Sequence, residues 1–187
     1  MENNQDQINV NSVTEIERRF LLSSIPPEIL REDILVQDIY QAYYKKEDSN
    51  DVVRVRKTTN NRTFESKYEQ MVKRNISKGV NHEIGTKELT EEEFMTGQHG
   101  TFLGAVSKTR YTEYDVWFDS DIDFTSKAEL DVIDVEGFTS PLIILEVEVG
   151  RLDFDLEFPK WLKPYVIMEI TGCKELSNFA IALSSLK

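Results

Sequence analysis

The sequence predicts an α+β, mainly β fold: a closed or nearly closed antiparallel β barrel with a few flanking helices. Three observations predict it. Strand-like segments follow one another along most of the 187 residues, while helical signals are short and few. Turn residues punctuate these segments at short intervals, which joins neighbours as antiparallel pairs. Several strands carry charge at i and i+2 with apolar residues between, so one face is charged and the other is hydrocarbon.

The elements follow in order. Thr14–Leu22 alternates Glu15, Glu17 and Arg19 with Ile16, Arg18 and Phe20. Pro26 and Pro27 break the chain, and a short helix is expected over Glu28–Asp33. Val36–Tyr44 is β-branched and aromatic, which suits a strand. Lys46–Asn50 reads as a turn, Val52–Thr58 as a strand and Asn60-Asn61 as the next turn. Glu65–Lys73 and Val80–Leu89 read as a hairpin across Ser77–Gly79. Thr90-Glu91-Glu92-Glu93 is a capping box that starts a helix running toward Gly97, its acidic first turn matching the helix dipole. Strands resume over Ala105–Thr112, Glu113–Phe118, Lys127–Val135 and Leu142–Val149. Phe158–Lys163 is expected as a short helix, Val166–Ile170 as a strand, and Ser177–Leu186 as a C-terminal helix capped by Ser177.

Length fits one domain, expected over residues 13–187, with a disordered lead-in over residues 1–12 that is rich in Asn and Gln. That lead-in has no apolar stretch of the kind a signal peptide carries. No apolar run reaches membrane-spanning length. The single cysteine, Cys173, excludes an intrachain disulfide framework, and a cytoplasmic protein is expected. The net charge of −12 argues against nucleic acid and anionic membranes as partners. It leaves room for a small anionic ligand held by a local cluster of cations.

The charged faces carry the chemistry. Glu15-Ile16-Glu17 and Glu146-Val147-Glu148 each put two carboxylates on one face, ~6–7 Å apart. Such a pair repels by roughly 2–3 kcal/mol at an effective dielectric near 20. If both pairs share an interior, metal ions or a set of Lys and Arg must be there with them. The strands supply cations in the same pattern: Arg54 and Arg56, Lys108 and Arg110, and Lys73 at the end of Glu69–Lys73. Glu129 and Asp131 add two further carboxylates on one face. An inside-out barrel explains this, with apolar residues outward against helices and charges inward. Guanidinium forks grip phosphate oxygens, and carboxylates hold Mg²⁺ or Mn²⁺. Other features read as structural. Glu91–Glu93 is a helix start, and His82 and His99 lack a zinc-binding set. Cys173 is a packed residue, and Trp117 and Trp161 are packing or surface residues. Asp119–Asp123 lacks the Gly and closing Glu of a calcium loop.

Glu15-Ile16-Glu17-Arg18-Arg19-Phe20 resembles the ExExK signature of the CYTH superfamily, the triphosphate tunnel metalloenzymes. In chain order, Arg54-Val55-Arg56 resembles the family's RxR strand, and Met71-Val72-Lys73 its strand ending in a substrate lysine. Lys108-Thr109-Arg110-Tyr111 is similar to its K-T-R segment, Leu130-Asp131-Val132-Ile133 to its acidic strand, and Leu145-Glu146-Val147-Glu148 to its second ExE. Met168–Gly172 and Ser177–Ala180 are similar to its closing segment. The resemblance spans roughly Thr14 to Leu183.

The resemblance implies an eight-stranded antiparallel closed β barrel, forming a tunnel, and a metal-dependent hydrolase of triphosphate compounds, inorganic triphosphate first. The alternatives are a class IV adenylate cyclase or a non-catalytic polyphosphate- or nucleotide-binding protein. It implies Glu15, Glu17, Asp131, Glu146 and Glu148 as metal ligands for Mg²⁺ or Mn²⁺. Arg19, Arg54, Arg56, Lys73, Lys108 and Arg110 would grip the phosphates, with Lys67 the alternative to Lys73, and Glu83 a further lining residue. Arg19, Glu146 and Glu148 carry the catalytic expectation. The implied partner is a triphosphate-containing small molecule, and the implied assembly a monomer or homodimer. One position departs from the signature: the lysine of ExExK is Arg19 here. Arginine keeps its proton at all working pH values, so a general-base role at this position is excluded.

Overall fold

The computed structural model describes residues 13–47, 51–77, 80–119, 124–153 and 155–185; within these, the side chains of 13–15, 73–84, 115 and 117–125 are not described. The expected lead-in over residues 1–12, the Asp119–Asp123 loop and the side chains of Glu15, Lys73, Glu83 and Trp117 lie outside that description.

Among the described residues nine strands form one antiparallel sheet: β1 (Val13–Leu22), β2 (Leu35–Lys45), β3 (Val52–Asn60), β4 (Ser66–Ser77), β5 (Val80–Leu89), β6 (Thr101–Asp119), β7 (Phe124–Ile133), β8 (Leu142–Glu148) and β9 (Val166–Glu169). Their order is β5-β4-β3-β2-β6-β7-β8-β1-β9. Two helices flank it, α1 (Glu91–Thr96) and α2 (Asn178–Ser184). No helix among the described residues is long and apolar enough to cross a membrane.

The expectation of a closed eight-stranded barrel is corrected in two respects. There are nine strands, and the seam is joined only in part. β1 pairs with β5 through Val13–Ile16. Further along, over Phe20–Leu22, β1 pairs instead with β9, while β8 holds its other edge from Glu17 to Leu22. The sheet therefore curls round until its ends touch at one corner, and it does not close along its length. Smaller differences follow. The two strands expected over Ala105–Phe118 are one 19-residue strand, β6, which absorbs an irregularity between Glu113 and Val116 without breaking. Residues 28–33 give a 3-10 turn, Pro27–Leu30, and the helix expected over Phe158–Lys163 is replaced by a 3-10 turn at Lys163–Tyr165.

Alternation decides what each face packs against. The outward side chains of β1, β7 and β8 (Phe20, Leu22, Leu130, Leu145 and Val147 among them) form one core, roofed by Ile29 and Leu162. The outward side chains Ala42, Val53 and Val55 form a second core under Phe94 of α1. That helix starts as its sequence demands: Thr90 Oγ1 accepts from the Glu93 N–H at 3.1 Å, and Glu93 returns the bond to the Thr90 N–H at 2.7 Å.

A third core lies on the inner face. Leu21, Tyr43, Val52, Val106, Ile133 and Ile144 project inward from six different strands and form one cluster with Phe179, Ile181 and Ala182 of α2. The helix packs on this face chiefly against β6 and β2, with Phe179 edge-on to Tyr43. Gly104 on β6 makes this possible. Its φ of +145° favours glycine, and a Cβ there would lie 2.2 Å from the Ala182 carbonyl oxygen. We predict that Gly104→Ala destabilises the chain by about 2–3 kcal/mol, combining backbone strain with overpacking, as read from the urea midpoint of unfolding. An unchanged midpoint would mean that α2 is not seated on β6.

Candidate active site

The inner face carries, next to its apolar end, the charged residues singled out in the sequence. Register places them. Arg110 on β6 lies opposite Asp131 on β7, Glu129 opposite Glu146 on β8, and Arg19 on β1 opposite Glu146. Glu17 lies opposite Glu148. On the other side Arg54 and Arg56 of β3 lie between Tyr43 and Gln41 of β2 and Met71 and Glu69 of β4. Each of these strands brings charge inward because its apolar alternate faces an outer core.

Arg110 is the hub. It donates from Nε to Asp131 Oδ1 at 2.6 Å and from Nη2 to Asp131 Oδ2 at 2.8 Å, a bidentate fork. The same Nη2 donates to Glu146 Oε2 at 2.7 Å, and Nη1 donates to Glu129. Lys108 donates to Asp131 Oδ2. Arg19 donates from Nε to Glu146 Oε1 at 3.0 Å and from Nη2 to the Leu176 carbonyl at 3.1 Å. Lys127 pairs with Glu129 at 3.0 Å nearer solvent. The network is dry at its centre: the side chains of Lys108 and Asp131 are 0% and 1% exposed. Charges so placed hold together only as a set, because removing one partner leaves an uncompensated buried ion.

The β3–β4 side is different in kind. Arg54 Nη2 and Arg56 Nη1 both reach a single carboxylate oxygen, Glu69 Oε1, at 3.1 and 3.3 Å. Arg54 Nη2 also reaches Met71 Sδ at 3.0 Å, and Arg56 Nε donates to Gln41 Oε1 at 2.8 Å. Two guanidiniums thus share one carboxylate, and the buried Arg54 Nε has no hydrogen-bond partner among the described residues. Burial and the neighbouring Arg54 pull the Arg56 guanidinium down to about 10, and it remains charged at neutral pH. Burial raises the Tyr43 phenol, which lies within the fields of Arg54, Arg56, Glu146 and Arg19. The two sides therefore face each other across one small interior.

Burial works against the Arg110 charge, but Asp131, Glu146 and Glu129 together hold it well above its ordinary value. Lys108 goes the other way. Burial, then repulsion from Arg110, lower it to about 8, with Asp131 acting to raise it.

The sequence expectations divide accordingly. Arg19, Arg54, Arg56, Lys108, Arg110, Asp131 and Glu146 come together in the interior, with Glu17 and Glu148 one register step further along β1 and β8. Lys67 is exposed on the same face of β4 as Glu69. Lys73, Glu15 and Glu83 are placed only by backbone: Lys73 pairs with Glu83, and β1 and β5 pair at Glu15↔Asn81. Among the described residues no three His, Cys, Asp or Glu side chains are grouped to hold a metal. Asp131 and Glu146 instead have both carboxylate oxygens engaged by cationic side chains. Two residues escaped the sequence reading, Glu69 and Gln41. Each lies opposite Arg56, Gln41 on β2 and Glu69 on β4. A separate depression of about 320 Å³, bordered by Asp38, Lys57, Thr109 and Asp134, lies on the opposite, outer face of the sheet.

No family model matches the sequence, and no curated relative matches it. Solved structures do. The PH1819 protein of Pyrococcus horikoshii OT3 is similar over 74% of this chain and 80% of its own, with 18% identity and a TM-score of 0.51. The likeness shows a shared fold over that span. The putative adenylyl cyclase HpAC1 from Hippeastrum, described as having a dominant triphosphatase activity, is similar over 73% of this chain and 80% of its own, with 15% identity and a TM-score of 0.43.

A lysine whose folded pKa lies below its unfolded value carries fewer protons folded than unfolded between the two values. Stability then rises with pH through that window. For Lys108 the window runs from about 8 to the ordinary 10.5. We predict that the wild-type chain gains stability relative to Lys108→Met across this range, with no such gain below it, in paired urea titrations. A difference that stays flat with pH would show that Lys108 titrates as an exposed lysine does.

Proposed function

We propose that this chain binds a triphosphate compound, most simply inorganic triphosphate, in the charged interior of its sheet and hydrolyses it with the help of a divalent cation. The observation that carries the reading is the Arg54–Arg56 side: two guanidiniums on one carboxylate oxygen, with a buried Nε donor left without a partner. A buried donor without an acceptor costs about 1–3 kcal/mol, and more where the group is charged. An anionic oxygen in the interior satisfies it.

The donor set fits a hard cation. Glu17 and Glu148 lie directly opposite on neighbouring strands, which puts their Cβ atoms ~5 Å apart. At an effective dielectric near 20 two charges at that spacing repel by about 3 kcal/mol. All the acidic groups on this side offer carboxylate oxygens, with no thiolate or imidazole among them, as Mg²⁺ or Mn²⁺ requires. Glu17 and Glu148 would hold the ion. A divalent ion there would supply a bound water of lowered pKa and offset phosphate charge.

The chain's own residues do the rest. Arg54 and Arg56 orient the phosphates from one side, through forks that match phosphate oxygens. Arg110 and Lys108, fixed by Asp131, keep positive charge at the base of the site, where it offsets charge on the phosphoryl group being transferred. Arg19 holds Glu146 and keeps its own proton, so its part is positional and electrostatic. A second reading, binding without turnover, is favoured by this one residue, since no titratable amine stands where the signature lysine would.

Phosphate release from tripolyphosphate, ATP and thiamine triphosphate, each with Mg²⁺ and with Mn²⁺, tests the proposal. Tripolyphosphate is expected to be cleaved with a metal requirement, and Arg56→Ala to lower kcat/KM by about 10²–10³-fold. Binding of tripolyphosphate without release, reversed by Arg19→Lys, would establish the second reading. Neither release nor binding would sink both.

A further inference from the structure

We propose that Gln41 is a positioning residue of the charged interior: its uncharged amide oxygen fixes the plane of the Arg56 guanidinium and leaves the arginine pair of β3 one charge in excess for a phosphate ligand. This rests on the functional reading above and adds to that site a residue without charge of its own.

Three observations carry it. The first is register. Gln41 on β2, Arg56 on β3 and Glu69 on β4 stand in one row across three neighbouring strands. Arg56 donates from Nε to Gln41 Oε1 at 2.8 Å and reaches Glu69 Oε1 from Nη1 at 3.3 Å. Two acceptors on two nitrogens, one from each neighbouring strand, hold a planar group against rotation about its long axis. Without Gln41 the Glu69 contact is left, and that oxygen is shared with Arg54.

The second is burial. Gln41 is 0% exposed. On its other side it lies opposite Val106 of β6, whose side chain has no polar atom to offer. Its amide nitrogen reaches the Tyr43 hydroxyl at 3.4 Å, a long bond. A buried amide of this kind has little advantage in stability over hydrocarbon of the same shape. Ile39, two residues earlier on the same face of β2, is buried hydrocarbon. Packing therefore does not call for glutamine here, whereas the Nε of Arg56 calls for an acceptor.

The third is charge. Arg110 is held by three carboxylates, those of Asp131, Glu129 and Glu146. Arg54 and Arg56 share one, that of Glu69. A glutamate at position 41 would accept the same bond from Arg56 and cancel the excess charge on β3. Glutamine has that length and that acceptor and adds no charge. The arginine is thus oriented without being neutralised, as recognition of an anionic oxygen requires.

The test is a double-mutant cycle on the full chain. Calorimetry with tripolyphosphate in EDTA gives Kd, initial phosphate release with Mg²⁺ gives KM, and a urea midpoint accompanies each variant. Gln41→Met is expected to weaken tripolyphosphate binding about ten-fold in the wild-type background and less than about two-fold in the Arg56→Lys background, since an ammonium has no plane to fix. An equal loss in both backgrounds would overturn the positioning role, because a packing defect does not depend on the cation at position 56. Gln41→Asn, which withdraws the oxygen by one methylene, replaces Gln41→Met in the cycle if that variant does not fold. Gln41→Glu keeps the shape and the acceptor, and it is expected to weaken binding about ten-fold or more while remaining folded. Wild-type affinity in Gln41→Glu would overturn the charge excess and leave the triphosphate reading intact. Tripolyphosphate that the wild type neither binds nor cleaves would overturn the parent reading and this one together.

Discussion

The bidentate pair between Arg110 and Asp131 is the interaction on which the rest of the interior depends. Neither residue is where an isolated charge is stable: the Asp131 side chain is 1% exposed and that of Arg110 is 9% exposed. Each is tolerable because the other is present, and because Glu146, Glu129 and Lys108 complete the set. The pair in turn depends on register. Arg110 meets Asp131, and Glu129 meets Glu146, only if β6, β7 and β8 stay in step. A slip of one residue would turn Leu130 and Leu145 inward and the charges out into a hydrocarbon core. The charged interior and the apolar exterior are thus one constraint, since each strand's period of two satisfies both or neither.

The interior is polarised across its width, and this bears on chemistry more than its total charge does. Asp131, Glu129 and Glu146 on β7 and β8 are held by Arg19, Arg110, Lys108 and Lys127. On β3, Arg54 and Arg56 share Glu69. Under the proposed reading, a metal-bound triphosphate would lie with its phosphate oxygens toward β3 and its cation toward Glu17 and Glu148.

Much of this was legible from sequence, because charge on a half-apolar strand can face only one way. Arg54, Arg56, Lys108, Arg110, Asp131, Glu146 and Arg19 were all found by alternation, and all lie on the inner face. Alternation failed where it carried no information. Glu69 and Gln41 have no i+2 neighbour of their own kind, and only the register of β2–β3–β4 makes them neighbours of the arginines. The strand β6 runs as one element because a local irregularity between Glu113 and Val116 lets the pairing continue. Nothing in β9, a strand of four residues, announces that it will take the β1 edge that β5 leaves.

The placement of α2 was illegible for a further reason, and it changes what the fold means. Phe179, Ile181 and Ala182 announce a helix with an apolar side, but an apolar side says only that it will be covered. Whether the cover is an outer face of the sheet or the mouth of its interior depends on a backbone contact at Gly104, where one missing methylene admits the helix. Arg19 belongs to the same junction. Its guanidinium joins Glu146 of the charged layer to Leu176, immediately before the helix cap at Ser177. A lysine can occupy the Glu146 contact, but as a single donor centre it matches two acceptors in fixed directions less well than a planar fork does. The substitution that removes a titratable amine from the signature thereby strengthens the tie between the charged layer and the segment leading into α2.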